Sequence, residues 1–280
     1  MNHATAASSR WLREAKCLAV RPCEDWDLVL GDGPVLAAAI HDGHAMRDSL
    51  RERLLIDTET RRRDEDPLTG LFAGVGDVRL RARRSRFEVD LNRPRDKALS
   101  SDPADTWGIR FWNGELPAEE IEHSQAIHDR FYAMAAELLD ALLDRHGSLL
   151  VLDLHSYNHR RDGAEAAPAP ADGNPEIDLG ATTLDRGRWG EVVDAFADAL
   201  RAQPVAGARP DVRENVRYPG GGYFPEWIHA RYGNRICTLS IEYKKTFMDE
   251  WTGQADIARL YDLREGLERA VAAVRGAFGA

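Results

Sequence analysis

The stretch Leu149-Leu150-Val151-Leu152-Asp153-Leu154-His155-Ser156 constrains the fold of this chain more than any other segment. Its first four residues are continuously apolar, which predicts a central strand covered on both faces. A helical pattern rich in Ala, Leu and Glu precedes it, and charged and small residues follow it. In open α/β sheets the carboxyl ends of strands collect functional groups, because the loops there line a crevice over a rigid base. Asp153 and His155 stand two residues apart, so on a strand they share a face. A carboxylate so placed can orient a metal-bound imidazole. The competing reading is a hydrogen-bonded histidine at a strand end.

Composition narrows what such a strand can belong to. With 280 residues, 43% of them hydrophobic and 30% charged, the chain has the make-up of a soluble globular protein with a full core. A formal net charge of −10 argues against general nucleic-acid binding, which needs a basic face. The basic runs Arg61 to Arg63 and Arg79 to Arg86 read as solvated faces or as walls of an anion site. Cys17, Cys23 and Cys237 are odd in number and form no CxxC pair, so neither a disulfide framework nor a thiolate zinc site is expected. No apolar core of a secretory signal stands at the start, and no apolar run reaches the roughly 18 residues of a membrane span. The expectation is a cytoplasmic protein with no membrane or nucleic-acid partner; the oligomeric state is not legible.

Along the chain, residues 1–22 read as a lead-in and 23–280 as a single domain. Trp26 to Leu30 and Val35 to Ile40 read as two strands joined as a hairpin through Gly31-Asp32-Gly33. The second ends at His41-Asp42-Gly43-His44. Ser49 to Ile56 reads as helix, Arg61 to Asp66 as a charged loop, and Pro67 as the first turn of a short helix through Phe72. Asp77 to Leu91 alternates like a second hairpin. Residues 95–117 read as an irregular excursion, and Pro117 opens a long amphipathic helix to about His146. Residues 157–184 read as a long loop, of a length that is usually functional or mobile. Arg188 to Ala202 reads as helix, Gly220 to Gly222 as a turn where backbone can approach a ligand, and Glu226 to Tyr232 as a short helix. Arg235 to Ile241 reads as a strand with Glu242 at its end, and Gln254 to Phe278 as a closing helix. Alternating strands and helices predict one α/β domain with a mixed central sheet and helices on both faces.

Three strand ends therefore carry candidates: His41 or His44, His155, and Glu242, with Glu65 in the charged loop between. Two histidines, a carboxylate and a water are the ligand set of a catalytic zinc. A further acid that stays off the metal could act as general base. Other divalent metals accept the same ligands. No G-x-S-x-G nucleophile elbow is present. Asn92-Arg93 after a strand could bind a carboxylate, since the arginine fork matches it.

The segments I-H-D-G at 40–43, S-R-F-E-V-D-L-N-R-P at 85–94, L-D-L-H-S at 152–156, G-G-Y at 221–223 and I-E-Y-K-K-T-F-M-D-E at 241–250 resemble the N-formylglutamate amidohydrolase family, in its order and over roughly residues 28–275. That family is similar in fold to zinc carboxypeptidases and aspartoacylases. The resemblance implies one zinc ion per chain and a water that attacks an amide carbonyl. It implies His41 and His155 as histidine ligands and Glu65 as the acidic ligand, with Asp64 and Asp66 as neighbours able to take that place. Glu242 is implied as general base, Asn92 and Arg93 as the holders of a substrate carboxylate, and Gly221, Gly222 and Tyr223 as substrate contacts. Arg84 or Arg86 would face the carbonyl oxygen. The chain departs from the family where Ile40 replaces a proline before the histidine, and where Glu65 is followed by Asp66-Pro67 instead of tryptophan. The implied activity is hydrolysis of a small acidic N-acyl amino acid, with N-formyl-L-glutamate leading. A carboxypeptidase-like hydrolase of a peptide or cell-wall fragment and a non-catalytic ligand-binding relative are the alternatives.

Overall fold

A computed structural model describes residues 19–102, 110–220 and 222–278. Its centre is an eight-stranded mixed sheet of strands β1 (Ala19–Pro22), β2 (Trp26–Leu30), β3 (Val35–Ala39), β4 (Val78–Ala82), β5 (Leu149–Tyr157), β6 (Ile177–Gly180), β7 (Val212–Glu214) and β8 (Ile236–Lys244). The order across the sheet is β1-β2-β4-β3-β5-β8-β6-β7. Strands β4, β3, β5 and β8 run parallel. β2 and β6 flank them antiparallel. β1 lies inside the stretch read from sequence as a lead-in; it pairs with β2.

Every residue of β5 and β8 is buried, as continuous apolar runs require when helices cover both faces. Alternation then sorts the side chains. Leu150, Leu152 and Leu154 pack with Cys237, Leu239 and Ile241 under α5 (Arg186–Ala202) and α7 (Ile257–Val274). Leu149, Val151 and Ile236 pack on the other face under α4 (Ala118–His146) and α6 (Tyr223–Tyr232). Asp153, His155, Ser240 and Glu242 continue this second row at its carboxyl end.

The first expected hairpin does not form. β4 is inserted between β2 and β3. The glycines of the link serve a close approach instead: a Cβ on Gly33 would lie 2.3 Å from the Asp77 carboxylate, which accepts from the Val35 amide at 3.1 Å. The second expected hairpin is also absent. After β4 the chain curls at Ser85, whose carbonyl accepts from the Glu88 and Val89 amides and whose hydroxyl accepts from Phe87. Phe87, Val89 and Leu91 are buried by this curl, which mimics strand alternation in the sequence.

Other boundaries move as well. Arg61 to Asp66 is not a loop: α2 (Thr58–Asp64) starts on an Asp57 cap and ends at Glu65, which is extended. The helix read over Ser49 to Ile56 shrinks to α1 (Asp48–Arg51), and the one near Pro67 to α3 (Thr69–Phe72). The expected long loop at 157–184 contains β6, four residues too short to show a periodic pattern. β5 and β8 both run further than expected, so His155 and Glu242 lie within strands. No helix among the described residues is long and apolar enough to cross a membrane.

Candidate metal centre and active site

Three side chains meet at the carboxyl edge of the parallel strands. His41 stands just past β3, His155 near the end of β5, and Asp66 two residues past α2. The Asp66 amide donates to the His41 carbonyl at 3.0 Å, which ties the end of α2 to the end of β3. Asp66 Oδ2 lies 3.0 Å from His155 Nδ1 and 3.4 Å from His41 Nδ1. Ligand atoms of the three residues all lie within 4.8 Å of one another, and all three residues are buried.

The far side of each imidazole faces another carboxylate. His41 Nε2 sits 2.7 Å from Asp90 Oδ1, and His155 Nε2 sits 2.9 Å from Asp153 Oδ1. An Nε2–H directed at a carboxylate leaves the Nδ1 lone pair turned inward, the arrangement that orients histidine ligands. His41 Nδ1 is buried and has no hydrogen-bond partner among the described residues. Burial opposes charge on His155, yet Asp153 and Asp66 hold its pKa well above the usual imidazole range. Burial likewise opposes ionisation of Asp66 and Asp90, but their histidine and arginine neighbours keep both well below the carboxylate range. Two Nδ1 atoms turned toward the Asp66 carboxylate, with donor atoms of all three residues within 4.8 Å of one another, make a set that fits a divalent cation.

The acidic member of this group is Asp66, not Glu65. The extended backbone at Glu65 sends its side chain the other way, where it accepts from the Ser85 hydroxyl and contacts His44 Nδ1, with Arg61 at 3.6 Å. His44, the alternative histidine, is thus held at Glu65, outside the trio.

Glu242 is directly opposite His155 in the β5–β8 register. It is buried, and among the described residues it forms no ion pair with Lys244 or Lys245. Lys245 is turned elsewhere: its ammonium donates to the carbonyls of Arg63 and Glu65 and to Asn158 Oδ1, at 2.6, 2.7 and 3.1 Å. Burial, reinforced by Asp66 and Asp153 against the pull of His155 and Arg86, raises the pKa of Glu242 to about 8.

A cavity of about 330 Å³ opens over this group, lined by His41, Asp66, His155 and Glu242 and by Arg86, Asn92, Ser156, Arg217, Tyr218 and Gly222. Arg86 donates to Asp90 at 2.9 Å; burial opposes its charge, but Asp90 and Asp66 hold its pKa above the ordinary guanidinium value. Asn92 clamps the start of α6, accepting from the Tyr223 amide at its carbonyl and from the Phe224 amide at its side chain. Gly222 has φ +100°, and a Cβ there would fall 2.6 Å from the Asn92 side chain. Tyr223 packs against Tyr132 and does not line the cavity. Gly221 lies outside the described residues.

The two other expected arginines lie elsewhere. Arg84 reaches Asp25 at 3.0 Å and Glu88 at 3.4 Å, away from the cavity. Arg93 donates to Asp90 at 3.3 Å and does not line it either. The arginine that the fold brings to the wall is Arg217, which sequence reasoning missed. It sits in a loop whose amides at Val216, Arg217 and Tyr218 all donate to the Asp178 carboxylate of β6. The only sequence signal was the neighbouring glycine run. Asp90, inside D-L-N-R-P, was equally unmarked.

Against known proteins, residues 33–248 match the family described as N-formylglutamate amidohydrolase. The chain belongs to the N-formylglutamate amidohydrolase family. It is accordingly an amidohydrolase. Its fold is similar to that of an N-formylglutamate amidohydrolase from Ralstonia eutropha JMP134, with 21% identity, a TM-score of 0.70, and 91% of this chain and 100% of that one covered. A gene product from Agrobacterium tumefaciens is similar at 20% identity and a TM-score of 0.61, covering 90% and 96% of the two chains. No curated protein matches the sequence.

Proposed function

We propose that this amidohydrolase cleaves N-formyl-L-glutamate to formate and L-glutamate and uses one zinc ion per chain, held by His41, Asp66 and His155. Two imidazoles and a carboxylate with room for a further ligand are the donor set of catalytic zinc sites. When bound, such an ion acidifies a water and polarises a carbonyl. The observation that carries the reading is Glu242, buried opposite His155 and without an ion pair among the described residues.

Glu242 takes a proton from the attacking water, whose oxygen bonds to the formyl carbon. The carbon–nitrogen bond breaks, and the proton returns to the departing nitrogen. A base is most effective when its pKa lies near the working pH, and burial moves Glu242 in that direction. Arg86 supplies positive charge for the carbonyl oxygen as charge develops on it. Arg217 takes one of the two substrate carboxylates, the role that the family resemblance implies for Arg93. A small acidic substrate suits this lining, and a cytoplasmic setting suits the absence of any expected disulfide.

The test is formate release by protein depleted of metal and then reloaded with zinc. N-formyl-L-glutamate should be hydrolysed only after reloading, and faster than N-formyl-L-leucine. Equal rates would reject the acidic substrate. No zinc-dependent hydrolysis of either compound would reject the whole reading.

A further inference from the structure

A second cavity, about 320 Å³, adjoins the first and shares Arg86, Ser156, Arg217 and Tyr218 with it. Its remaining wall includes Arg63, Arg161 and Lys245, against a single acid, Asp64. Asp64 is engaged by the Asn158 amide at 2.9 Å. The donors of Lys245 are spent on Arg63, Glu65 and Asn158.

The arginines differ from most others in the chain. Among the described residues, Arg63, Arg161 and Arg217 form no ion pair with a carboxylate, although the chain carries ten more acidic than basic groups. Arg63 stacks on Trp251, 3.9 Å from the ring centre. Arg161 and Arg217 both face Tyr157 and both donate to the neutral Asn174 Oδ1, at 3.3 and 3.0 Å. Arg217 Nε is buried and has no hydrogen-bond partner among the described residues. Partial desolvation of its guanidinium and the neighbouring Arg217 charge both lower the pKa of Arg161. Like charges gathered around an amide oxygen are relieved by an anion, and guanidinium forks match a carboxylate best.

Size points the same way. Pockets for drug-sized ligands start at roughly 300 Å³. The first cavity alone reaches that size, and N-formylglutamate is smaller than a drug. Nothing in the amide chemistry uses Arg63 or Arg161.

Resting on the amidohydrolase reading, we infer that this enzyme takes N-acyl amino acids that span both cavities. The two carboxylates of the amino acid stay in the first cavity, one of them at Arg217, and a third reaches Arg161 and Arg63. The third carboxylate can be carried on the acyl side or beyond the amino-acid side chain, and two probes separate these sources. N-succinyl-L-glutamate extends the acyl group, and N-formyl-L-glutamyl-γ-L-glutamate extends the side chain.

The experiment compares both probes with N-formyl-L-glutamate on the zinc-loaded wild type and on Arg161→Ala, an exposed position. Loss of one charge-assisted contact should lower kcat/KM for at least one extended probe by about tenfold or more, with N-formylglutamate turnover little changed. The probe affected identifies the side that extends. The same loss for all three substrates, or for none, overturns the inference. Calorimetric binding of the probes covers the case in which nothing is hydrolysed. That case would sink the N-formylglutamate reading, while equal affinity of wild type and Arg161→Ala for both extended probes would independently sink this one.

Discussion

His155 and Glu242 face each other across the parallel pair β5–β8, as direct register partners on the same face of the sheet. Two strands thus set the distance between the proposed ligand imidazole and the proposed base. Glu242→Gln keeps the shape and removes the basic oxygen. We expect kcat to fall by roughly 10²–10⁴, the usual share of general acid–base catalysis, with zinc content unchanged. A variant of near-normal kcat and full metal would exclude Glu242 as the base.

The acidic ligand is tested by a pair of neighbouring variants. Asp66→Asn should lose most of its zinc in elemental analysis. Glu65→Gln should keep near one ion per chain and lower Tm, because Glu65 is buried among Ser85, His44 and Arg61. The reverse pattern would return the ligand role to Glu65.

Arginine variants divide binding from metal support. Arg217→Ala should raise KM for N-formylglutamate strongly, and Arg217→Lys less so, since lysine keeps charge and loses the fork. Arg93→Lys should leave KM nearly unchanged and weaken zinc retention, because Arg93 contacts Asp90, which orients His41. A large KM effect at Arg93 with none at Arg217 would reverse the assignment.

The pH dependence of stability has a definite sign in the metal-free protein. Burial raises the pKa of Glu242 from 4.5 to about 8. A raised carboxyl contributes stability that is full below the unfolded value and is lost as pH rises through the folded one. His155, raised by Asp153 and Asp66 against burial, acts in the same direction. The Tm of metal-free protein should therefore decline from about pH 4.5 to about 8, and less steeply in Glu242→Gln. Parallel declines in the two proteins would show that Glu242 is not the group responsible.

Lys245 holds the segment that carries Asp66. Lys245→Met leaves the buried carbonyls of Arg63 and Glu65 without that donor, at a cost on the order of 2 kcal/mol. Chemical denaturation should read that loss, and zinc affinity should drop with it. Unchanged zinc affinity at reduced stability would confine Lys245 to the scaffold.

The central strands were legible because burial on both faces leaves a continuous apolar run, and His155 was legible from its place behind one. The choice between Glu65 and Asp66 was not. Adjacent acids look alike in sequence, and only the extended turn at the end of α2 decides which one faces His41. The curl at Ser85 was hidden because Phe87, Val89 and Leu91 alternate as a strand would. Arg217 was hidden for a longer-range reason: Asp178, 39 residues earlier, draws in its loop.

The segment that carries Arg217 is fastened by the Asp178 carboxylate, which accepts from the amides of Val216, Arg217 and Tyr218. Arg217 therefore waits for its ligand in a nearly fixed place, and capture of a carboxylate requires little ordering of the backbone. The entropic toll of binding falls mainly on the ligand. A stiffened substrate analogue should then gain affinity over a flexible one of the same charge, whereas tightening the protein further should gain little.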